Sequence, residues 1–147
     1  MSIFSSFNIN SSGMTAQRYR MDIISENVAN ADTTRTADGT PYRRKVVTFE
    51  EKNSQTPFSR VLNSARDQYS GSGVKVSKVQ EDMETDMVRA YDPSHPDADE
   101  NGYVTYPNVN IVTEMTNLID ASRSYEANAT AFNASKTIAM KGLEMSN

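Results

Sequence analysis

The sequence predicts an α+β fold: long N- and C-terminal helices paired as an antiparallel coiled coil, with a small β-rich domain inserted between them. Three observations predict it. Apolar residues recur every seven positions at both ends of the chain, the period of a helix buried along one stripe. The middle drops that period and takes up β-branched and aromatic residues in partial alternation, punctuated by glycine. Hydrophobic content of 37% and a mean hydropathy of −0.64 are low for 147 residues that must bury their own interior. The shortage predicts either partial disorder in the lone chain or a core completed by neighbouring chains. The expected divisions are a helix over 1–33, a β-rich outer domain over 34–107 and a second helix over 108–147.

In the first helix Phe7, Met14, Met21 and Val28 stand one heptad apart, with Ile3, Gln17, Ile24 and Ala31 at the companion offset. Ile9, Ala16 and Ile23 widen the stripe. Ser11 or Ser12 is placed to cap the stronger half, and Gly13 weakens the turns before it. The Met and Phe stripe reads as helix packing, not as a cofactor box.

The helix runs into "NVANADTTRTADGTPYRRK", which is dense in short polar side chains. Asn30 and Asp32 suit a helix end, and Gly39-Thr40-Pro41 turns the chain towards a strand. The stretch is read as a hinge whose amides satisfy backbone groups and touch neighbouring molecules. A catalytic loop would require a base or nucleophile to work with it, and the chain offers none.

In the middle, "RRKVVTFE", "GVKVSKV", "MVRAY" and "NGYVTY" are the candidate strands, and "SRVLNSARDQYSGS" is a short helix or a loop. Past Pro107 no further proline occurs. Ile111, Leu118, Tyr125, Phe132 and Ala139 are spaced by sevens, with Met115, Ala129 and Leu143 in alternate positions. Asn108 or Asn110 is the expected N-cap. A helix over 108–145 would be about 55 Å long at 1.5 Å per residue, too long for a core helix of a small globule. Its other faces carry amides and hydroxyls where a solvated helix has Lys and Glu, which suits packing on several sides.

The chemistry-bearing residues assemble no recognisable active site. A net charge of −4 and a pI near 5.0 argue against nucleic acid, which needs a basic surface. Without cysteine there is neither a disulfide framework nor a thiolate metal site. "YDPSHPDADENGY" brings Asp92, His95, Asp97, Asp99 and Glu100 together, but two prolines and a glycine make an ordered acidic turn sufficient. No phosphate loop and no nucleophile elbow are present. The triplet Arg43, Arg44 and Lys45 reads as strand-edge charge or as a contact with an acidic neighbour. No catalytic residue, cofactor, metal or small-molecule substrate is expected. The start of the chain has no basic residue before Arg18 and no apolar run fit for a leader.

"SENVANADTTRT" resembles the Asn-rich signature that closes the first helix of the bacterial flagellar axial proteins, the rod, hook and hook-junction subunits. Asn27, Ala29, Asn30, Ala31 and Thr33 match that pattern. The stretches 16–45 and 91–145 are similar to the proximal-rod members in particular, while 51–79 carries nothing specific. The resemblance implies a structural subunit of the basal-body rod, a hollow helical shaft that transmits torque and encloses an export channel. It implies export through the flagellum's own type III apparatus without a cleaved signal peptide, and assembly across the periplasm. Its partners would be copies of itself, homologous proximal and distal rod subunits, and a membrane-ring adaptor at the base. Assembly burial would then fall to Phe7, Met14, Met21, Ile24, Val28, Ile111, Met115, Leu118, Tyr125 and Phe132. Arg43, Arg44, Asp92, His95, Tyr103 and Asn108 are expected at intersubunit contacts. Two alternatives stand beside this reading: another rod or adaptor subunit of the same plan, and a metal-dependent enzyme centred on Asp92, His95 and Asp97.

Overall fold

A computed structural model describes residues 3–52, 58, 62 and 72–145. The chain runs α1 (Ile3–Ala29), β1 (Lys45–Glu51), β2 (Val74–Glu81), β3 (Val88–Tyr91), β4 (Tyr103–Tyr106) and α2 (Ile111–Glu144). The α+β class is as expected, and all four candidate strand segments form strands. The "SRVLNSARDQYSGS" segment lies outside the described residues apart from Leu62 and Ser72. β1 pairs with β2, and β3 with β4, as two separate two-stranded sheets. In the second sheet the strands are antiparallel, with Ala90 opposite Val104 and Tyr91 opposite Tyr103. Among the described residues no helix is long and apolar enough to cross a membrane.

Two compact units emerge, and both helices and the first sheet contribute to each. The first comprises Met1–Tyr19, Thr48–Ser77 and Ala121–Asn147. Here the helices run antiparallel. The Phe7 and Phe132 rings meet with centroids 5.0 Å apart, and one turn and a half further along α1 the backbone of Gly13 passes against Asn128. A Cβ on Gly13 would lie 2.8 Å from the Asn128 side-chain oxygen, so the absence of a side chain sets how closely the helices approach. Ser11 and Ser12 cap nothing, because α1 is continuous through them. Ser12 instead returns its hydroxyl to the Ile9 carbonyl and accepts from the Val74 N–H at the start of β2. Gly73 precedes that strand with φ +81°, and a Cβ there would collide with the Ser12 hydroxyl. Position 73 is thus held by both its backbone and its neighbour.

The second unit comprises Arg20–Val47 and Lys78–Asp120. Its buried residues are few: Ile24, Asn27, Ala31, Tyr42, Val104, Pro107, Asn108 and Glu114. Several are polar. A core of this kind is specified by hydrogen bonds as much as by apolar area, and each of its polar groups must find a partner.

α2 begins after Asn110, whose side-chain oxygen accepts from the Thr113 N–H and so supplies the N-cap. Along α2 only Glu114 and Ala121 are buried, one heptad apart, with Leu118, Tyr125, Asn128 and Phe132 half-buried on either side of that row. The remaining apolar residues of the helix lie outside it. Val112 is 74% exposed, Ile119 52%, Ile138 65% and Leu143 70%.

Candidate functional site

The densest constellation of side chains in the second unit lies where α1 ends, β1 begins and α2 begins. Asn27, two residues before the end of α1, uses every hydrogen-bonding position of its amide. Its NH₂ donates to the Lys45 carbonyl at 2.9 Å and to Glu114 Oε2 at 3.0 Å. Its oxygen accepts from the Lys45 N–H and from the Tyr42 hydroxyl, both at 2.9 Å. An amide offers two donors and about two acceptor sites, so Asn27 is saturated. By bonding both the N–H and the C=O of one β1 residue, it acts towards the strand as another strand would.

Glu114 completes the arrangement from the first turn of α2. Only 1% exposed, it receives Arg44 Nε and Nη2 on Oε1, both at 2.9 Å. Two charge-assisted contacts on one side and the Asn27 amide on the other keep a buried carboxylate from being left unpaired. Asn108, three residues beyond β4's Thr105, is the second clamp. Its oxygen accepts from the Arg44 N–H, and its NH₂ donates to the Asp82 and Thr85 carbonyls. Arg44 and Lys45, where β1 begins, are therefore held by two asparagine side chains, Asn108 on the first and Asn27 on the second. Asp82 ends β2 by accepting from the Thr85 hydroxyl and from the N–H groups of Glu84 and Thr85. Those bonds, those from Thr85 foremost, with help from Arg44, hold its carboxyl below the usual carboxylate range. Burial pushes the Tyr42 phenol up to about 12, and Glu26, Glu114 and Glu81 push the same way. The Tyr42 hydroxyl thus stays a donor to Asn27.

The remaining residues of the Asn-rich stretch work locally. Asn30 donates both its backbone N–H and its side-chain NH₂ to the Glu26 carbonyl, doubling the last bond of the helix end. Thr33 bonds the Asn30 side chain, and its carbonyl receives the Tyr42 N–H. Ala31 is buried and Ala29 exposed. The hinge is a built corner.

Among the expected packing residues Ile24 is buried, and Phe7, Met14, Met21, Val28, Leu118, Tyr125 and Phe132 are half-buried. Ile111 and Met115 are exposed at 44% and 54%. Of the residues expected between subunits, Arg44 and Asn108 are engaged within this chain, and Arg43 donates to the Asp82 carbonyl. Tyr103 lies exposed, edge-on to Tyr91 with centroids 5.3 Å apart. Asp92, His95 and Asp97 are turned to separate tasks. Asp92 accepts from the Ser94 hydroxyl and N–H, and those bonds lower its carboxyl pKa. His95 Nδ1 accepts from the Asp97 N–H, and Asp97 accepts from Thr34 and pairs with Arg35. Among the described residues no three His, Asp or Glu side chains are grouped to hold a metal ion. Glu114, Tyr42 and Asp82 had no place among the residues expected from sequence. Glu114 was legible only as an acid in the first turn of a helix.

Residues 7–35 match the family model described as flagella basal body rod protein, and residues 100–145 match that described as flagellar basal body rod FlgEFG protein C-terminal. The first match holds Asn27 and the Asn-rich corner. The second holds Asn108 and Glu114. A two-helix frame with this corner thus defines a protein of the flagellar basal-body rod. The chain is 48% identical to the flagellar basal-body rod protein FlgC of Bacillus subtilis, over 99% of each chain. It is 45% identical to that of Borreliella burgdorferi over 94% of this chain and 93% of the relative. It is 39% identical to that of Salmonella typhimurium over 99% and 98%. The chain belongs to the FlgC family of flagellar basal-body rod proteins.

Proposed function

We propose that the chain works as a structural subunit of the proximal rod, packed among copies of itself and homologous rod subunits in a hollow helical shaft. The shaft carries torque outwards and encloses the export channel. The chain's part is mechanical and not enzymatic. The corner around Asn27 fixes the β strands to both helices, so that load on either helix reaches the outer β module through hydrogen bonds and an ion pair. Export through the flagellar type III apparatus, without a cleaved signal, brings the subunit to the periplasm, where a membrane-ring adaptor receives the base of the rod. The absence of cysteine suits a chain that passes through unfolded.

One observation carries this reading: α2 leaves Ile111, Val112, Met115 and Ile119 exposed within three turns of its start, in a family of rod proteins. Exposed apolar runs of that kind mark interaction surfaces. Met115→Asp tests it. The variant should keep the helical content of the isolated chain, because its side chain is already in water, and should abolish rod assembly and swimming. Cells that swim normally with Met115→Asp would refute the reading.

A further inference from the structure

The turn joining β3 to β4 repeats one device along its length. Asp92 accepts from the Ser94 N–H at 3.1 Å, His95 Nδ1 from the Asp97 N–H at 3.1 Å, and Asp99 from the Asn101 N–H at 2.8 Å. In each case a side chain bonds the backbone two residues on, as Asp and Asn ordinarily do in turns. Imidazole Nδ1 stands as many bonds from Cα as a carboxylate or amide Oδ1, so histidine fills the middle place with the same reach. It differs in its proton chemistry. The Ser94 hydroxyl and N–H foremost hold the Asp92 carboxyl below the usual carboxylate range, and the Tyr103 N–H, then that of Asn101 and the Arg89 guanidinium, do so for Asp99. Both therefore remain acceptors in mild acid. An imidazole takes up its proton between about pH 5 and 8, and both its nitrogens are then donors.

The middle bond governs the link between this turn and the corner after α1. The Asp97 carboxylate accepts from the Thr34 hydroxyl at 2.8 Å, 63 positions away in sequence, and lies 3.6 Å from the Arg35 guanidinium. The backbone N–H of that same Asp97 is the group that His95 holds. The His95 ring is half-buried, with the Tyr106 ring of β4 edge-on to it at 6.3 Å. The charges about it are the Asp92 carboxylate and the Asp97 carboxylate, the latter paired with Arg35. Tyr106 adds a phenol, which carries no charge in mild acid. Carboxylates on either side accommodate an imidazolium, so what protonation costs is the bond from Asp97.

We infer that His95 is an acid-sensitive latch: its neutral Nδ1 holds Asp97 in place, and protonation frees the Asp97 N–H and slackens the tie from the β3–β4 turn to Thr34 and Arg35. The bond sets the sign. Stability that the tie contributes is present while the ring is neutral and is lost as pH falls through the imidazole range. Asp92 and Asp99 keep the two ends of the turn closed meanwhile, so the change is local to its middle. The latch belongs to the single chain and stands apart from the rod reading.

The chain has one histidine, so NMR reads its ring titration without overlap. The test compares the full-length chain at pH 7.5 and pH 5.5, with each amide's exchange rate taken relative to an unstructured peptide at the same pH. Protection at Asp97 should fall about fivefold on acidification, the scale of one net hydrogen bond. Ser94 and Asn101, held by carboxylates, should keep theirs. The Thr34 side-chain resonances should move with the same midpoint as the His95 Cε1–H. His95→Asn puts an acceptor that does not titrate in the same place, so Asp97 should stay protected and Thr34 unmoved at both pH values. His95→Ala should leave Asp97 unprotected at both. Equal protection of Asp97 at the two pH values in the unsubstituted chain, with His95 seen to have taken its proton, overturns the latch. A ring still neutral at pH 5.5 overturns it too, as does a loss at Asp97 that His95→Asn fails to prevent.

Discussion

The corner around Asn27 and the distal end of α2 are built on opposite terms. At the corner, polar groups are buried and satisfied: Asn27 and Glu114 are each 1% exposed, and the Asn27 amide has no hydrogen-bonding position to spare. At the distal end, apolar groups are bare: Leu143 and Met145 are 70% and 88% exposed. The first region is finished by its own chain. The second is left for something else to finish. A subunit that must transmit force yet assemble with others needs both, a joint that holds before assembly and a surface that gains its burial only on assembly.

The comparison can be broken most severely at the joint. Glu114→Ala leaves the half-buried Arg44 guanidinium with Asp82 alone and strands a buried amide donor, and Asn27→Ala removes four bonds and leaves the Glu114 carboxylate short of a donor. Each should destabilise the isolated chain by roughly 3–5 kcal/mol in urea unfolding, the range for breaking a buried charged pair. Gly73→Ala comes next. It places a Cβ at φ +81° against Ser12 and should cost about 2 kcal/mol, with loss of amide protection at Val74.

Tyr42→Phe is milder. It removes one of two donors to the Asn27 oxygen and should cost about 1 kcal/mol at neutral pH. It also has a pH signature. The folded phenol ionises near 12 and the unfolded one near its ordinary value of 10. Above pH 10 the unfolded chain loses its proton first, so the stabilisation present below pH 10 is lost as pH rises towards 12. Tyr42→Phe should flatten that fall, which urea midpoints at pH 9 and pH 11 would read. The smallest effect belongs to the bare end. Ile138→Ser should change the isolated chain by less than about 0.5 kcal/mol, because little of the side chain is buried. Comparable losses at Ile138 and Asn27 would erase the distinction between the two regions.

Much of this was legible in the sequence. The heptad spacing of Phe7, Met14 and Met21, and of Leu118, Tyr125 and Phe132, located both helices, and alternation located the four strands. The identity of the innermost row in α2 was not legible. Periodicity shows that stripes exist but not which one is covered, and the covered row begins with Glu114 and Ala121, which an apolar scan passes over. Ile111 and Met115 stand in the heptad rows and yet are exposed in the single chain. The Asn-rich corner announced itself by composition. Its logic did not, because Asn27 works on Lys45 and Glu114, residues 18 and 87 positions away. Sequence spacing carries no trace of a contact made by folding. Ser12 shows the same limit from the other side: a capping residue by type, it serves instead the start of β2, which its local sequence does not reveal.

Amide hydrogen exchange on the isolated chain in dilute buffer tests the contrast most directly. Residues 24–30, 44–47 and 114–121 should exchange slowly and together, and residues 136–144 should exchange fast until the chain enters a rod. Equally slow exchange along the whole of α2 in the lone chain would contradict the account.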